Sequence, residues 1–299
     1  MQTQWYPGHM AKARRAIAEA MAIHDVVIEV LDARMPASSE NPVITELRRH
    51  KPCIKVLCKS DLADPTVTAA WLRHFEATAP RAQDPGSGGG ARGAVAAIAL
   101  RTDRPGETRS RLPELCQRLA RPTRQRTTVR AMVVGIPNVG KSTLINTLMD
   151  RKVAKVGDEP AVTKSKQQVV LKSGMMLSDH PGILWPKIND DSASMRLALG
   201  GALPDRALEY ESVALFGAAL LMARYPRGLL ERYKLAELPA DAAALLLEIG
   251  RRRGGLRSGG SVDLHKAADV LIHDFRSGAL GRISLEVPGA DGRRDGLED

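Results

Sequence analysis

Gly135-Ile-Pro-Asn-Val-Gly140-Lys141-Ser142 follows the apolar run Thr128-Val-Arg-Ala-Met-Val-Val134 and opens the helix-forming stretch Ser142 to Met149. The eight residues fit G-x-x-x-x-G-K-[ST] without a mismatch, and a strand before with a helix after is the context the pattern requires. Its glycines let backbone N–H groups turn towards a phosphate, and the positive end of the following helix adds to the attraction. Lys141 would bridge the β- and γ-phosphates of a bound nucleotide, and the Ser142 hydroxyl would hold Mg²⁺. Asn138, Val139, Gly140 and Thr143 complete the expected nucleotide loop.

Working outward, short apolar segments alternate with amphipathic ones through the first two-thirds of the chain. Strands are expected at Asp25–Leu31, Cys53–Leu57, Ala94–Leu100, Thr128–Val134, Gln168–Leu171 and Met175–Leu177. Helices are expected at Met10–Met21, Pro65–Ala77 and Thr108–Leu119. Strands separated by helices of this length predict a parallel sheet covered on both faces, an α/β doubly wound domain. Beyond about Asn189 only helical periodicity remains, broken at Gly200-Gly201, Pro204, Pro226 and Gly254-Gly255. The expected organisation is a phosphate-loop domain over 1–190, a smaller all-α domain over 191–286, and a disordered, charge-rich tail over 287–299. Asp84 to Gly93, rich in glycine, reads as a flexible surface loop.

Two further motifs fit the same nucleotide. Asp179-His-Pro-Gly182 follows the Met175–Leu177 strand and matches D-x-x-G, in which Asp179 would support Mg²⁺ and Gly182 would sense the γ-phosphate. Thr163 lies about twenty residues past the loop, where a switch threonine would reach the same metal. No base-recognition motif N-K-x-D follows residue 182. The nearest match precedes the phosphate loop: Cys58-Lys59-Ser60-Asp61, directly after the Cys53–Leu57 strand. Asp61 would accept hydrogen bonds from the imino and exocyclic amino groups of guanine, with the Lys59 stem against the ring. The order of base motif, phosphate loop, switch threonine and D-x-x-G is a circular permutation of the usual GTPase arrangement, which a doubly wound sheet tolerates when its termini lie close together.

Composition narrows the partners. Lys plus Arg number 44 against 34 Asp plus Glu, for a formal net charge of +10, which favours a polyanion. Only 3% of residues are aromatic, so phosphate contact is expected in place of extensive base stacking. The longest apolar run, Val213 to Ala223, is too short to span a bilayer and suits a buried helix. No hydrophobic signal region opens the chain. The three cysteines, Cys53, Cys58 and Cys116, have no metal spacing and read as reduced thiols of a cytoplasmic protein.

The sequence resembles the circularly permuted ribosome-assembly GTPases of the RbgA/YlqF type, with mitochondrial relatives. The motifs carrying the resemblance are Trp5-Tyr-Pro-Gly-His9-Met-Ala-Lys-Ala-Arg-Arg15, Asp32-Ala-Arg-Met-Pro-Ala-Ser-Ser-Glu-Asn-Pro42, Gly135 to Ser142, Asp179 to Pro186, and Asp274-Phe-Arg-Ser-Gly-Ala-Leu-Gly281. The resemblance implies a GTPase acting late in maturation of a large ribosomal subunit precursor, with a helical C-terminal domain on rRNA; a monomer without membrane insertion is expected. It also implies slow intrinsic turnover stimulated by the pre-ribosome. Ile183 follows D-x-x-G where many GTPases carry a water-orienting Gln, so the resemblance nominates His9 to position the water. Asn138 resembles the residue that holds K⁺ in potassium-dependent relatives. Two departures stand out. Cys58 replaces the Asn that bonds guanine and braces the phosphate loop, and Ala161 stands where Gly is common.

The positive charge is expected on the first helix, at Lys12, Arg14 and Arg15, on Arg34, and on Arg251–Arg253, Arg257, Lys266, Arg276 and Arg282 of the helical region. A helix over Asp263–Ser277 should place Leu264, Ala267, Leu271 and Phe275 on its buried face, with Gly278 closing it. Read from residues alone, an unrelated phosphate-loop ATPase and a non-hydrolysing, nucleotide-dependent rRNA-binding scaffold both stay open.

Overall fold

The computed structural model describes residues 7–48, 50–78, 93–120, 128–149, 167–171, 173–179, 190–203, 209–255 and 260–289. The chain divides into two compact units, Met1–Ile188 with Glu286–Asp299, and Asn189–Leu285. Glu286, expected to end the helical region, therefore belongs to the first unit. The expected separate tail over 287–299 lies outside the described residues from 290 onward.

The first unit runs α1 (Pro7–Ala22), β1 (Val26–Asp32), α2 (Pro36–Ser39), α3 (Pro42–Arg48), β2 (Cys53–Cys58), α4 (Pro65–Ala77), β3 (Val95–Ala99), α5 (Pro105–Ala120), β4 (Arg130–Val134), α6 (Lys141–Met149), β5 (Gln167–Val170) and β6 (Met176–Asp179). Six strands form one sheet in the order β3-β2-β1-β4-β6-β5. Every residue of β1 and β2 is buried, as central strands covered on both faces must be. Ile17 and Met21 of α1 pack with Ile44, Val27, Cys53 and Met132 in one apolar cluster. Trp71 and Phe75 of α4 pack with Leu31, Ala33 and Leu57 in another. Asp64 caps α4 by accepting from the Thr66 and Val67 N–H groups at 2.8 and 3.2 Å, and Pro65 fills the first helical position.

The sheet is not wholly parallel. Strands β3, β2, β1, β4 and β6 run in one direction, but β5 pairs antiparallel with β6. The reason is the short turn between them, closed by Leu171 N–H to Met175 O at 2.8 Å, which leaves no room for a crossover. Helix α1 begins three residues before the expected Met10, placing the His9 backbone in its first turn.

One buried ion pair lies inside this apolar sheet. Glu29 of β1 faces Lys55 of β2 in register, with Lys55 Nζ 2.6 Å from Glu29 Oε2, and Glu40 approaches the same ammonium. Burial alone would depress Lys55, but the two carboxylates hold it above the ordinary lysine value. Glu29 also accepts from Asn41 N–H at 3.1 Å, so the pair pins the segment that follows Asp32.

The second unit is helical: α7 (Asp191–Leu199), α8 (Tyr210–Arg224), α9 (Pro226–Tyr233), α10 (Ala242–Arg252) and α11 (Leu264–Ser277). Val213, Ala214, Ala218 and Leu221 of α8 are buried, so the longest apolar run is spent on this core. Among the described residues no single helix is long and apolar enough to cross a membrane. Helix α11 buries Ala267, Leu271 and Phe275, and Gly278 ends it in a left-handed conformation. Leu264, expected on that face, is exposed because it is the first residue of the helix, ahead of the turn that meets the core.

Candidate functional site at the carboxyl edge of the sheet

Chain direction fixes where a ligand can sit. From β1 the chain steps outward to β2 and β3, whereas β4 returns to the other side of β1 and β6 follows beyond it. The order thus reverses between β1 and β4, and such a reversal leaves a crevice at the carboxyl ends of the strands. All five parallel strands end there, carrying Asp32, Cys58, Leu100, Gly135 and Asp179 at or just past their last residues.

The phosphate loop starts at this point. Gly135 has φ +150°, and a Cβ there would lie 2.5 Å from Val30 O of β1, so only glycine lets the chain cross the neighbouring strand. Ile136 and Val139 are buried and anchor the loop from below. Asn138 and Gly140 take positive φ values of 59° and 106°. This succession turns the loop into the first residue of α6, Lys141. Lys141 is buried, with its ammonium 2.6 Å from Ile136 O, which folds the charge over the loop's own backbone. Ser142 and Thr143 are half-buried in the first turn of α6.

The second loop, Cys58 to Asp61, approaches the first directly. A Cβ at Gly140 would stand 3.2 Å from Cys58 Cβ and 3.6 Å from its sulfur. Cys58 therefore fills the space between the loops by packing, whereas an amide there would bridge them by hydrogen bonds. Burial pushes its thiol up to about 12. Ser60 Oγ donates to Leu100 O at 2.8 Å, and Asp61 accepts from the N–H and hydroxyl of Thr102, each at 3.3 Å. The loop after β3 is thus part of the same wall. Nothing about its sequence, Leu100-Arg-Thr-Asp103, distinguishes it from an ordinary strand end.

Asp32 is the organising residue that sequence reading passed over. It lies across from Cys58 in the β1–β2 register, and Ala33 N–H donates to Cys58 O at 2.8 Å. Its Oδ1 accepts from Arg34 N–H and Nε, each at 3.0 Å, and its Oδ2 accepts from Arg34 Nη2 at 2.8 Å and Lys59 Nζ at 2.9 Å. Burial alone would raise its pKa, but the guanidinium and ammonium hold the carboxyl well below the usual carboxylate range. The available signal was a second carboxylate, after Glu29, at the end of a strand whose other residues are all apolar.

Arg34 corrects an expectation. Counted among residues for a polyanion, it is 1% exposed and spent on Asp32. Arg276 likewise donates to Ala198 O and Leu199 O, closing the last turn of α7. Arg14 pairs with Glu46, Arg251 with Glu248, and Arg252 with Glu248 and the Lys234 carbonyl. Lys266 and Arg282 are exposed. Thr163, Gly182 and Arg257 lie outside the described residues, as do the side chains of His9, Lys12 and Asp179, whose backbones are placed in α1 and at the end of β6. Among the described residues no three His, Cys, Asp or Glu side chains cluster as a metal site.

Comparison with known proteins agrees with this geometry. Residues 130–209 match the family model described as 50S ribosome-binding GTPase. The ribosome biogenesis GTPase A of Bacillus pumilus is 41% identical over 288 residues, covering 96% of this chain and 99% of that protein. Mitochondrial ribosome-associated GTPase 1 of Bos taurus is 31% identical, covering 97% of this chain and 90% of that protein. The crystal structure of GNP-bound YlqF from T. maritima superposes with a TM-score of 0.62 at 24% identity, over 93% of this chain and 99% of that one. That fold is the circularly permuted GTPase domain followed by helices. The chain belongs to the ribosome biogenesis GTPase A family.

Proposed function

We propose that this chain binds GTP between the phosphate loop and the Cys58–Asp61 loop and hydrolyses it to GDP and phosphate. It acts on a large ribosomal subunit precursor late in maturation, and hydrolysis drives its release. The observation that carries this reading is the contact of Cys58 with Gly140. Two motifs about eighty residues apart in sequence meet side by side at the edge where a doubly wound sheet binds nucleotides.

In this reading Asp61 selects guanine, the Lys59 stem packs on the base, and Gly140 to Thr143 with Lys141 cradle the phosphates. The half-buried Ser142 hydroxyl at the start of α6 is a hard oxygen donor and fits Mg²⁺, with Thr163 and Asp179 as its further ligands. Bound there, the ion neutralises charge on the phosphate oxygens. Asn138 is the residue placed for K⁺. His9 positions the attacking water from the first turn of α1, because Ile183 has no group that can do so. The helical unit contacts rRNA through exposed cations such as Lys266 and Arg282, and the protein works as a cytoplasmic monomer.

Four measurements test this. Asp61→Asn should weaken GTP binding by roughly tenfold to a hundredfold, since buried donors and acceptors left unmatched cost about 1–3 kcal/mol. Equal competition by ATP and GTP in the wild type would instead favour an ATPase. Lys141→Ala should abolish hydrolysis and subunit maturation together; assembly without hydrolysis would favour the non-hydrolysing scaffold. Depletion in cells should accumulate an immature large subunit, and a normal ribosome profile would overturn the assignment.

A further inference from the structure

We propose that Glu286 is a positioning residue for the guanine-recognition loop, acting through the segment that follows β1. The chain leaves the helical unit after Leu285 and rejoins the first unit at Glu286. There the carboxylate is more than nine-tenths buried, and two donors of a single residue meet it. Ser38 N–H donates to Oε1 at 3.0 Å and Ser38 Oγ donates to Oε2 at 2.8 Å. Trp71 Nε1 of α4 donates to the Glu286 carbonyl at 3.3 Å. One residue therefore clasps the turn after β1 to the helix that follows the Cys58–Asp61 loop.

The path to the base loop is short and buried. Ser39, next to Ser38, accepts from Asp32 N–H at 3.1 Å and donates to Met35 O at 2.8 Å. Asp32 in turn receives Lys59 Nζ, while β1 and β2 hold Ala33 against Cys58. Lys59 has φ +59°, a conformation an ordinary side chain adopts only when its surroundings impose it. A buried carboxylate is costly unless hydrogen bonds meet it. A chain that needed only to re-enter the first unit would be served by an apolar residue. A charged one, met by both donors of Ser38, fixes the turn to hydrogen-bond precision and thereby fixes Asp32 and Lys59.

The inference rests on Cys58–Asp61 being the guanine loop, and the experiment separates the two. GDP and IDP affinities of the full-length protein are measured for wild type, Glu286→Ala, Glu286→Gln, Ser38→Ala and Asp61→Asn. IDP lacks the exocyclic amino group that Asp61 would read, so the ratio of the two affinities reports the setting of the base loop. Glu286→Ala and Ser38→Ala should each weaken GDP by roughly tenfold and shrink the preference over IDP, as losing hydrogen bonds to a charged group does. Glu286→Gln, which keeps one acceptor oxygen, should recover part of both, and it carries the test if the alanine variant does not fold. Wild-type affinities in the Glu286 and Ser38 variants, with Asp61→Asn losing its preference, would overturn the inference and leave the guanine reading intact. So would equal losses for GDP and IDP, which mark general loosening. Unchanged preference in Asp61→Asn would overturn the guanine reading and this inference with it.

Discussion

Lys59 and Asp32 meet at 2.9 Å where two neighbouring parallel strands end, the lysine in a left-handed backbone conformation and the aspartate wholly buried. Because Arg34 is buried against the same carboxylate, Asp32 is one partner to two cations. Asp32→Asn keeps the shape and removes the charge, leaving a buried guanidinium without its counter-ion. Loss of one partner of a buried pair costs about 3–5 kcal/mol, so the urea midpoint should fall steeply. An unchanged midpoint would show that Arg34 finds another acceptor.

Gly135→Ala pushes a methyl group to 2.5 Å from the Val30 carbonyl, an atom held in the β1 ladder and unable to yield cheaply. The expected outcome is a loss of about 1–3 kcal/mol together with weaker nucleotide binding, measured by denaturation and by GDP titration. Gly106→Ala in α5 is the matched control. Nothing lies within 4 Å of its added Cβ, and helix propensity should make it neutral to stabilising by about 1 kcal/mol.

His24 connects the end of α1 to the strand that carries Asp179. Its Nδ1 lies 2.6 Å from Ala20 O and its Nε2 lies 2.7 Å from Ser178 Oγ. The carbonyl can only accept, which assigns the proton to Nδ1 and makes Nε2 the acceptor of the Ser178 hydroxyl. Burial lowers the His24 pKa, with Asp25 opposing and Lys51 and Arg130 adding to the shift. The unfolded chain therefore binds the proton more readily. Stability from this group is present above the unfolded value near 6.5 and is lost as pH falls below it. The melting temperature should drop between pH 7.5 and 5.5, and His24→Asn should flatten that slope; parallel slopes would assign it elsewhere.

All three cysteines are buried, and burial pushes each thiol up to about 12. Since the thiolate is the reactive form, Ellman's reagent at pH 8 should leave the native protein almost untouched. In guanidinium chloride it should titrate all 3 cysteines. Rapid native labelling of Cys58 would reveal opening between the two loops at the site.

Sequence periodicity located all six strands within about two residues, because central parallel strands are nearly pure apolar runs and their ends carry turn residues. The phosphate loop was legible for the same reason that it works. A left-handed residue, two glycines and a helix start have to be written in those residues. The direction of β5 was not legible, since two short apolar runs read alike in either orientation. Nor was the role of Thr102 or Glu286, whose partners lie 41 and 248 positions away, or the reach of Asp32 to Lys59 across 27 positions, since such separations leave no local pattern. Arg34 was misassigned because a charged residue in a loop ordinarily faces solvent, and only the neighbouring buried carboxylate reverses that preference.

The clasp at Glu286 also orders events in time. During synthesis residues 1–188 are made first, and the helical unit follows. The contact between Ser38 and Glu286, 248 positions apart, becomes available only after both. Contacts of such sequence separation are the slow ones in folding. A nascent chain that ends before residue 286 lacks both Ser38 contacts, so the turn after β1 is closed only once the whole helical unit has been synthesised.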